Sequence, residues 1–194
     1  MSKSRCDWVT SDPEYLAYHD NEWGVPEKNK NKLFEMLCLE GQQAGLSWYT
    51  VLKKREGYRR CFFEFSPNKI AAMTEKDVEA LLQDPSIIRH RGKINAIINN
   101  ARIFLAMEEQ GEDFSEFIWQ FVEGQPIVNQ WDDISQVPAS TEISDNMAKV
   151  LKKKGFKFVG TTTCYAFMQA VGLVNDHILS CFCRLSPENI VNKK

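Results

Sequence analysis

The sequence predicts an all-α fold, a helical bundle in one domain over residues 1–194. Apolar residues make up 43% of the chain and recur at helical spacing in several segments, whereas no segment alternates convincingly between apolar and polar residues. Residues that favour helix starts precede several of these segments, and glycine or proline ends several of them. An apolar content of this size is enough for a core of its own.

The first half of the chain carries four predicted helices. They cover residues 32 to about 45, residues 47–55, a short segment opened by Ser66 and Pro67, and a segment that begins at Thr74 and stops before Pro85. Ser66 is a favoured N-cap, and proline suits the first helical position. Thr74 and Asp77 form a capping-box pattern ahead of an apolar run.

Four more helices are expected in the second half. They cover residues 94 to about 109, residues 114–122, residues 144–154 and a last segment from 161 or 162 to about 171. Ser144 is the expected cap of the third of these, and Gly155 is expected to end it. Residues 124–143 show few helical signals and are predicted to form an ordered surface loop or a linker.

Composition and the first residues favour a cytoplasmic protein. The N-terminus has no apolar run after its basic residues, and no stretch approaches the roughly 20 apolar residues of a membrane span. Cys38 and Cys164 lie on apolar helical faces and are predicted to be buried thiols. The sequence implies neither a membrane nor a protein partner.

The net charge of −2 argues against non-specific coating of nucleic acid but leaves room for local basic patches. Two patches occur, at residues 89–93 and 149–157, and either one is also compatible with ordinary solvated surface. The first connects the helices predicted within residues 74–109. Its Arg91, Gly92 and Lys93 suggest a divergent helix-hairpin-helix element that binds a phosphate, although a plain helical turn remains the alternative.

Cysteine and histidine residues at the two ends of the chain could form a metal site. Cys6 and His19 come from the N-terminal end, and His177 and Cys181 from the C-terminal end. Zinc binds sets of two sulfurs and two imidazoles, and a closed set of this kind is structural. The spacing alone leaves open whether Cys183 replaces Cys181, or whether these are simply buried thiols.

Aromatic residues are concentrated near one carboxylate, Glu40, which adjoins an apolar helical face where an unpaired acid is costly. The aromatic residues are Trp8, Tyr15, Tyr18, Trp23 and Trp48. Aromatic faces and an acid acceptor together suit a flat cationic heterocycle. The alternative is an aromatic core with no ligand.

The chain resembles the type I 3-methyladenine DNA glycosylases. The resemblance rests on YHDNEWGVP (18–26), LEGQQAGLSW (39–48), RHRGKI (89–94), GFKFVGTT (155–162) and GLVNDH (172–177). It implies a helix-hairpin-helix glycosylase fold that lacks the usual catalytic aspartate, one structural zinc ion on Cys6, His19, His177 and Cys181, and excision of 3-methyladenine from alkylated double-stranded DNA. Free 3-methyladenine would then be the product ligand.

The same resemblance suggests roles for the site residues. Glu40 would accept a hydrogen bond from the exocyclic amino group and could stabilise the cationic sugar, Tyr18 would add a polar contact, and Trp48 would stack on the base. Trp8, Tyr15 and Trp23 would line the pocket. The turn at Gly45 and Leu46 would supply an apolar wedge for the vacated stack, unless Leu46 belongs to the core.

Two other functions remain compatible with the sequence. One is a hydrolase that uses a zinc-activated water, which requires an open metal position. The other is a module that binds alkylated DNA without cutting it, and its pocket residues would look the same.

Overall fold

The computed structural model describes residues 4–184, and within that range ten α-helices and one short strand pair form the fold. The helices are α1 (Pro13–Asn21), α2 (Lys30–Gln42), α3 (Trp48–Leu52), α4 (Arg55–Cys61), α5 (Pro67–Ala71), α6 (Glu75–Leu81), α7 (Arg91–Glu109), α8 (Phe114–Trp119), α9 (Glu142–Lys154) and α10 (Thr161–Ala170). The predicted all-α class is confirmed. Residues 1–3 and 185–194 of the predicted domain lie outside the described residues.

Helix α2 is the centre of the fold. It contacts α7, α8 and α10, and its buried residues run from Leu33 to Gln42. The Asn29 side chain caps it by accepting hydrogen bonds from the backbone N–H groups of Asn31 and Lys32. Because α2 is enclosed on several sides, its last turn carries Glu40 into the interior.

Two helices in the first half were missed by the sequence patterns. Helix α1 buries Tyr18 and His19, so it has no apolar stripe, although Asp12 caps it and Pro13 occupies its first position. The helix predicted over 47–55 ends at Leu52, and a separate helix, α4, begins at Arg55.

The start of α9 corrects the predicted cap. Thr141, not Ser144, is the N-cap, and the two residues exchange hydrogen bonds between side chain and backbone at 2.8 and 3.3 Å. Gly155 ends the helix as predicted, with φ at 102° in the left-handed region that glycine tolerates.

The segment predicted as a loop contributes to a small sheet. Strand β1 (Ile127–Val128) pairs in parallel with β2 (Val174–Asn175), with Ile127 opposite Val174. A strand of two residues is too short to show an alternating pattern, which explains why it was not predicted. The pairing holds the loop after β1 next to the segment that carries His177.

Among residues 4–184, no helix combines the length and apolar character needed to cross a membrane.

Candidate functional site

An aromatic cavity of about 210 Å³ lies between α1, α2, α3 and α10. It is lined by Trp8, Tyr15, Tyr18, Trp23, Glu40, Gln43, Trp48, Ile134, Ala166 and Gln169. The structure therefore brings together all six residues that the sequence predicted for a base pocket.

Glu40 is the buried acid of this cavity. It is 3% exposed, and its Oε2 atom has no hydrogen-bond partner among the described residues. Burial disfavours the charged form, so the pKa of Glu40 is raised from 4.5 to about 8. An acceptor without a partner at such a position is costly, and a ligand that donates a hydrogen bond would remove that cost.

The aromatic rings form two walls around the acid. The ring centroids of Tyr18 and Trp48 lie 5.4 Å apart, and those of Trp8 and Trp23 lie 5.1 Å apart. The indole Nε1 of Trp48 is buried and, like Glu40, has no partner within residues 4–184. The cavity thus offers both flat apolar surface and polar atoms that are not yet used.

Sequence patterns missed four cavity residues, namely Gln43, Ile134, Ala166 and Gln169. Gln43 follows α2 directly, so its proximity to Glu40 could have suggested it. Ile134 lies in the segment predicted to be a surface loop, and Gln169 lies on α10, far from the others in sequence. Only the tertiary packing brings those two to the cavity.

A second cluster adjoins the cavity. One ligand atom from each of Cys6, His19, His177 and Cys181 lies within 4.8 Å of the others, and all four residues are buried. Cys181 Sγ lies 3.5 Å from His19 Nε2 and 3.4 Å from His177 Nδ1. Hydrogen bonds from Cys6 and from the two imidazoles hold the pKa of the Cys181 thiol well below its usual value.

Outer contacts orient both imidazoles in this cluster. His19 Nδ1 lies 2.8 Å from Asp20 Oδ1, and His177 Nε2 lies 3.0 Å from the carbonyl oxygen of Trp23. Such contacts fix the ring nitrogen that faces a metal ion. Cys183 Sγ lies 3.8 Å from His19 Nδ1, on the other nitrogen of that ring, so Cys181 and not Cys183 belongs to the set of four.

A groove of about 370 Å³ continues from the cavity along the turn between α2 and α3. It shares Glu40, Gln43 and Ala166 with the cavity and extends to Leu46 and the first turn of α10. Leu46 is 42% exposed, so the alternative that it belongs to the core is wrong. Gly45 has φ at 77°, which places Leu46 at the tip of the turn.

The structure corrects the assignment of Lys93 as a phosphate contact. Lys93 is 5% exposed, and its Nζ donates hydrogen bonds of 2.8 and 2.7 Å to the carbonyl oxygens of Gln42 and Ala44. Burial lowers the pKa of Lys93. The ammonium group therefore fixes the end of α2 and the turn that carries Leu46, and it does not face outward.

The predicted hairpin also differs in detail. Helices α6 and α7 are present, but Arg91 and Gly92 lie in the first turn of α7 and not in the connection. Arg91 is exposed and pairs with Glu75 and Glu79 of α6. The groove itself is bordered instead by the start of α10, which follows the basic segment at 149–157.

A helical domain whose aromatic cavity contains a buried acid, with one oxygen atom that no described residue contacts through a hydrogen bond, is suited to bind a flat ring that carries hydrogen-bond donors. The model of one protein family, the methyladenine glycosylases, matches residues 8–184. The chain belongs to the methyladenine glycosylase family.

Its relatives include proteins from two bacteria. The chain is 66% identical over 179 residues to DNA-3-methyladenine glycosylase 1 of Escherichia coli (strain K12), an alignment that covers 92% of this chain and 96% of that protein. It is 57% identical over 183 residues to DNA-3-methyladenine glycosylase of Haemophilus influenzae, with 94% and 99% of the two chains covered.

Solved structures agree with this relationship. A crystal structure of 3-methyladenine DNA glycosylase I superposes with a TM-score of 0.93 at 67% identity and covers 94% of this chain and all of that one (100%). A Staphylococcus aureus structure that describes 3-methyladenine recognition superposes with a TM-score of 0.91 at 39% identity, with 96% and 99% of the chains covered.

Proposed function

We propose that the protein is a DNA glycosylase that hydrolyses the N-glycosidic bond of 3-methyladenine in alkylated DNA and leaves an abasic site. The relatives named above carry this activity in their names, and they cover nearly the whole chain. The observation that carries the proposal is the buried Glu40, whose Oε2 has no hydrogen-bond partner among residues 4–184, inside a cavity whose ten lining residues include all six predicted ones.

The contacts of the cavity support specific roles for its residues. Trp48 offers a stacking face, and Tyr18 lies against that ring and can add a polar contact. Glu40 accepts a hydrogen bond from the exocyclic amino group of the base. Because 3-methyladenine is cationic while it is attached to the sugar, a bound cation also favours the ionised form of Glu40 over the neutral form that burial favours.

The chemistry demands little proton transfer to the leaving group. A base that is cationic in the nucleotide leaves as a neutral molecule, so its glycosidic bond is already weak. The ionised Glu40 can stabilise positive charge as it moves to the sugar. Attraction that merely holds the cationic base in the ground state would not accelerate the step, so the effect on excision has to be measured separately from binding.

The groove beside the cavity supports a DNA path. The target base has to leave the stack, and the exposed Leu46 is placed to fill the vacated space. The first turn of α10 contributes Thr162 and Thr163 to the same groove, and their backbone N–H groups lie at a helix start, where phosphates bind. We therefore assign the main phosphate contact to the hairpin between α9 and α10, with exposed Arg91 as an outlying contact.

The cysteine–histidine cluster fits one structural zinc ion. Its donors are two sulfurs and two imidazoles, the set that zinc binds in closed sites, and the spacing of the ligand atoms is compatible with a common ion. When bound, the zinc ion would clip the N-terminal segment to the C-terminal one. With four protein ligands it has no open position for an activated water, which argues against a zinc-dependent hydrolase.

The test is base release from methylated double-stranded DNA under single-turnover conditions. Excess wild-type protein should release 3-methyladenine, and a Glu40→Gln variant should release it more slowly. Zinc removal should reduce release only to the extent that it unfolds the protein. Tight binding to methylated DNA without release would identify a module that binds but does not cut and would refute the proposal.

A further inference from the structure

The carboxylate of Asp176 is completely buried and accepts four side-chain hydrogen bonds. Oδ1 accepts from Asn129 Nδ2 at 2.6 Å and Trp131 Nε1 at 2.8 Å. Oδ2 accepts from the hydroxyl of Tyr165 at 2.6 Å and from Gln169 Nε2 at 2.9 Å. A carboxylate offers about four lone-pair sites, so all of them are filled. Each partner is thereby held with its donor directed at Asp176.

Gln169 is the one of these partners that also lines the aromatic cavity with Glu40. A glutamine amide carries an acceptor oxygen and a donor NH₂ group. Because Asp176 only accepts, it takes the NH₂ group of Gln169. The carbonyl Oε1 is then the polar side-chain atom of Gln169 that is left to face the cavity, where it would act as a second acceptor beside Glu40.

We propose that Asp176 is a positioning residue for base selectivity: it fixes the Gln169 amide so that its oxygen faces the cavity and favours a base with an exocyclic amino group over one with a carbonyl. This inference rests on the proposed function. An amino group has two hydrogens to give to two acceptors. When Glu40 is ionised, a carbonyl at the same place would face two acceptors in a buried site, which is strongly disfavoured.

Asp176→Asn should reverse the Gln169 amide. Asparagine has one oxygen and one NH₂ group for four former donors. The indole N–H of Trp131 can only donate, so the oxygen of the introduced amide has to stay on that side. The NH₂ group of the introduced asparagine then points at Tyr165 and Gln169. The hydroxyl of Tyr165 can accept a hydrogen bond from it, whereas Gln169 can accept one only if its amide rotates so that its oxygen faces position 176. That turn places the NH₂ group of Gln169 toward the cavity.

The experiment compares two free bases that differ at one position. 3-Methyladenine carries an amino group where 3-methylhypoxanthine carries a carbonyl. Each is titrated into the full-length protein above pH 8, where Glu40 is ionised, with tryptophan fluorescence as the signal. Wild-type protein should prefer 3-methyladenine. Asp176→Asn should lower the ratio of the two affinities by on the order of tenfold or more, because a buried donor replaces a buried acceptor. Zinc content is measured in both proteins because Asp176 precedes His177.

Three variants separate selectivity from general loosening of the network. Asn129→Ala removes one donor but keeps the carboxylate, so the ratio should stay at its wild-type value. Gln169→Met removes the amide group but keeps a side chain of similar size, so the ratio of the affinities for 3-methyladenine and 3-methylhypoxanthine should fall. Adding Asp176→Asn to Gln169→Met should then change the ratio no further, since the coupled group is gone.

An unchanged affinity ratio in a folded Asp176→Asn variant would overturn the inference, and so would an unchanged ratio in Gln169→Met. If Asp176→Asn does not fold, Gln169→Met alone decides, because an unchanged ratio there removes the acceptor role. The proposed function fails differently. If wild-type protein releases no 3-methyladenine from DNA while the ratio still falls in these variants, the inference stands and the assigned reaction is wrong.

Discussion

Glu40→Gln should change how protein stability depends on pH, because burial separates the folded and unfolded pKa of this acid. In the folded protein the pKa of Glu40 is about 8, against an ordinary 4.5. Between pH 4.5 and about 8, Glu40 therefore keeps its proton in the folded state and loses it in the unfolded state. The wild-type free energy of unfolding should fall as the pH rises from 4.5 to about 8, and Glu40→Gln should lack that part of the fall.

The size of the effect follows from the two pKa values. At about 1.36 kcal/mol per pH unit, the interval from 4.5 to about 8 corresponds to at most about 5 kcal/mol. Water in the cavity can solvate the carboxylate and reduce this, so we expect roughly 2–5 kcal/mol. Above pH 8 Glu40→Gln should be the more stable protein by that amount, and near pH 4.5 the two should be nearly equal.

The measurement is denaturant unfolding of both proteins from pH 4.5 to about 9 at constant zinc concentration. The difference between the two curves isolates Glu40, because every other titrating group is shared. A difference that does not vary with pH would show that the carboxylate is well solvated, and the argument from its burial would then be wrong. Above pH 8, where Glu40 is ionised, the same variant should bind free 3-methyladenine more weakly, since charge-assisted hydrogen bonds are roughly twice as strong as neutral ones.

Three further variants test the other parts of the site. Trp48→Ala should weaken binding of free 3-methyladenine by about 1–3 kcal/mol through loss of a stacking face, measured by titration, and unchanged affinity would exclude stacking. Leu46→Ala should slow single-turnover excision from duplex DNA but leave free-base affinity unchanged, because the side chain lies outside the cavity. Cys181→Ser should contain no zinc by elemental analysis and should unfold at a lower temperature than the wild-type protein. Cys183→Ser changes a residue outside the set of four and should keep the wild-type zinc content and unfolding temperature. Native protein without zinc would refute the metal assignment.

The sequence predicted the helices whose core faces are apolar and missed those whose buried residues are polar or aromatic. Helix α7 carries Ile94, Ile97 and Phe104 on its buried face, so its period was visible. Helix α1 buries Tyr18 and His19, which serve the cavity and the cluster, and it therefore shows no apolar stripe. The polar and aromatic residues that α1 contributes to the cavity and the cluster are therefore the reason that the sequence pattern did not reveal this helix.

The site was predictable where ligand chemistry demands particular residue types. Two sulfurs with two imidazoles, and aromatic rings with one acid, suggest a metal site and a base pocket, but the residue types left alternatives open until the resemblance to the glycosylases selected between them. Gln169 and Asp176 have no such signature, since their roles depend on one hydrogen bond of 2.9 Å between them. Lys93 was misassigned for the same reason, because a lysine in a basic run looks exposed until its carbonyl partners are located.

The cavity and the cysteine–histidine cluster share their supporting residues, so each depends on the other. Tyr18 lines the cavity and its neighbour His19 belongs to the cluster, and both lie on α1. Trp23 lines the cavity, and its carbonyl oxygen lies 3.0 Å from His177 Nε2. A metal ion on the four ligands would thus fix the position of two cavity walls as well as the two ends of the chain. The buried Glu40, whose Oε2 has no hydrogen-bond partner in the part of the chain that the structure describes, lowers stability. A metal site that joins the two ends of the chain beside the cavity would offset part of that cost.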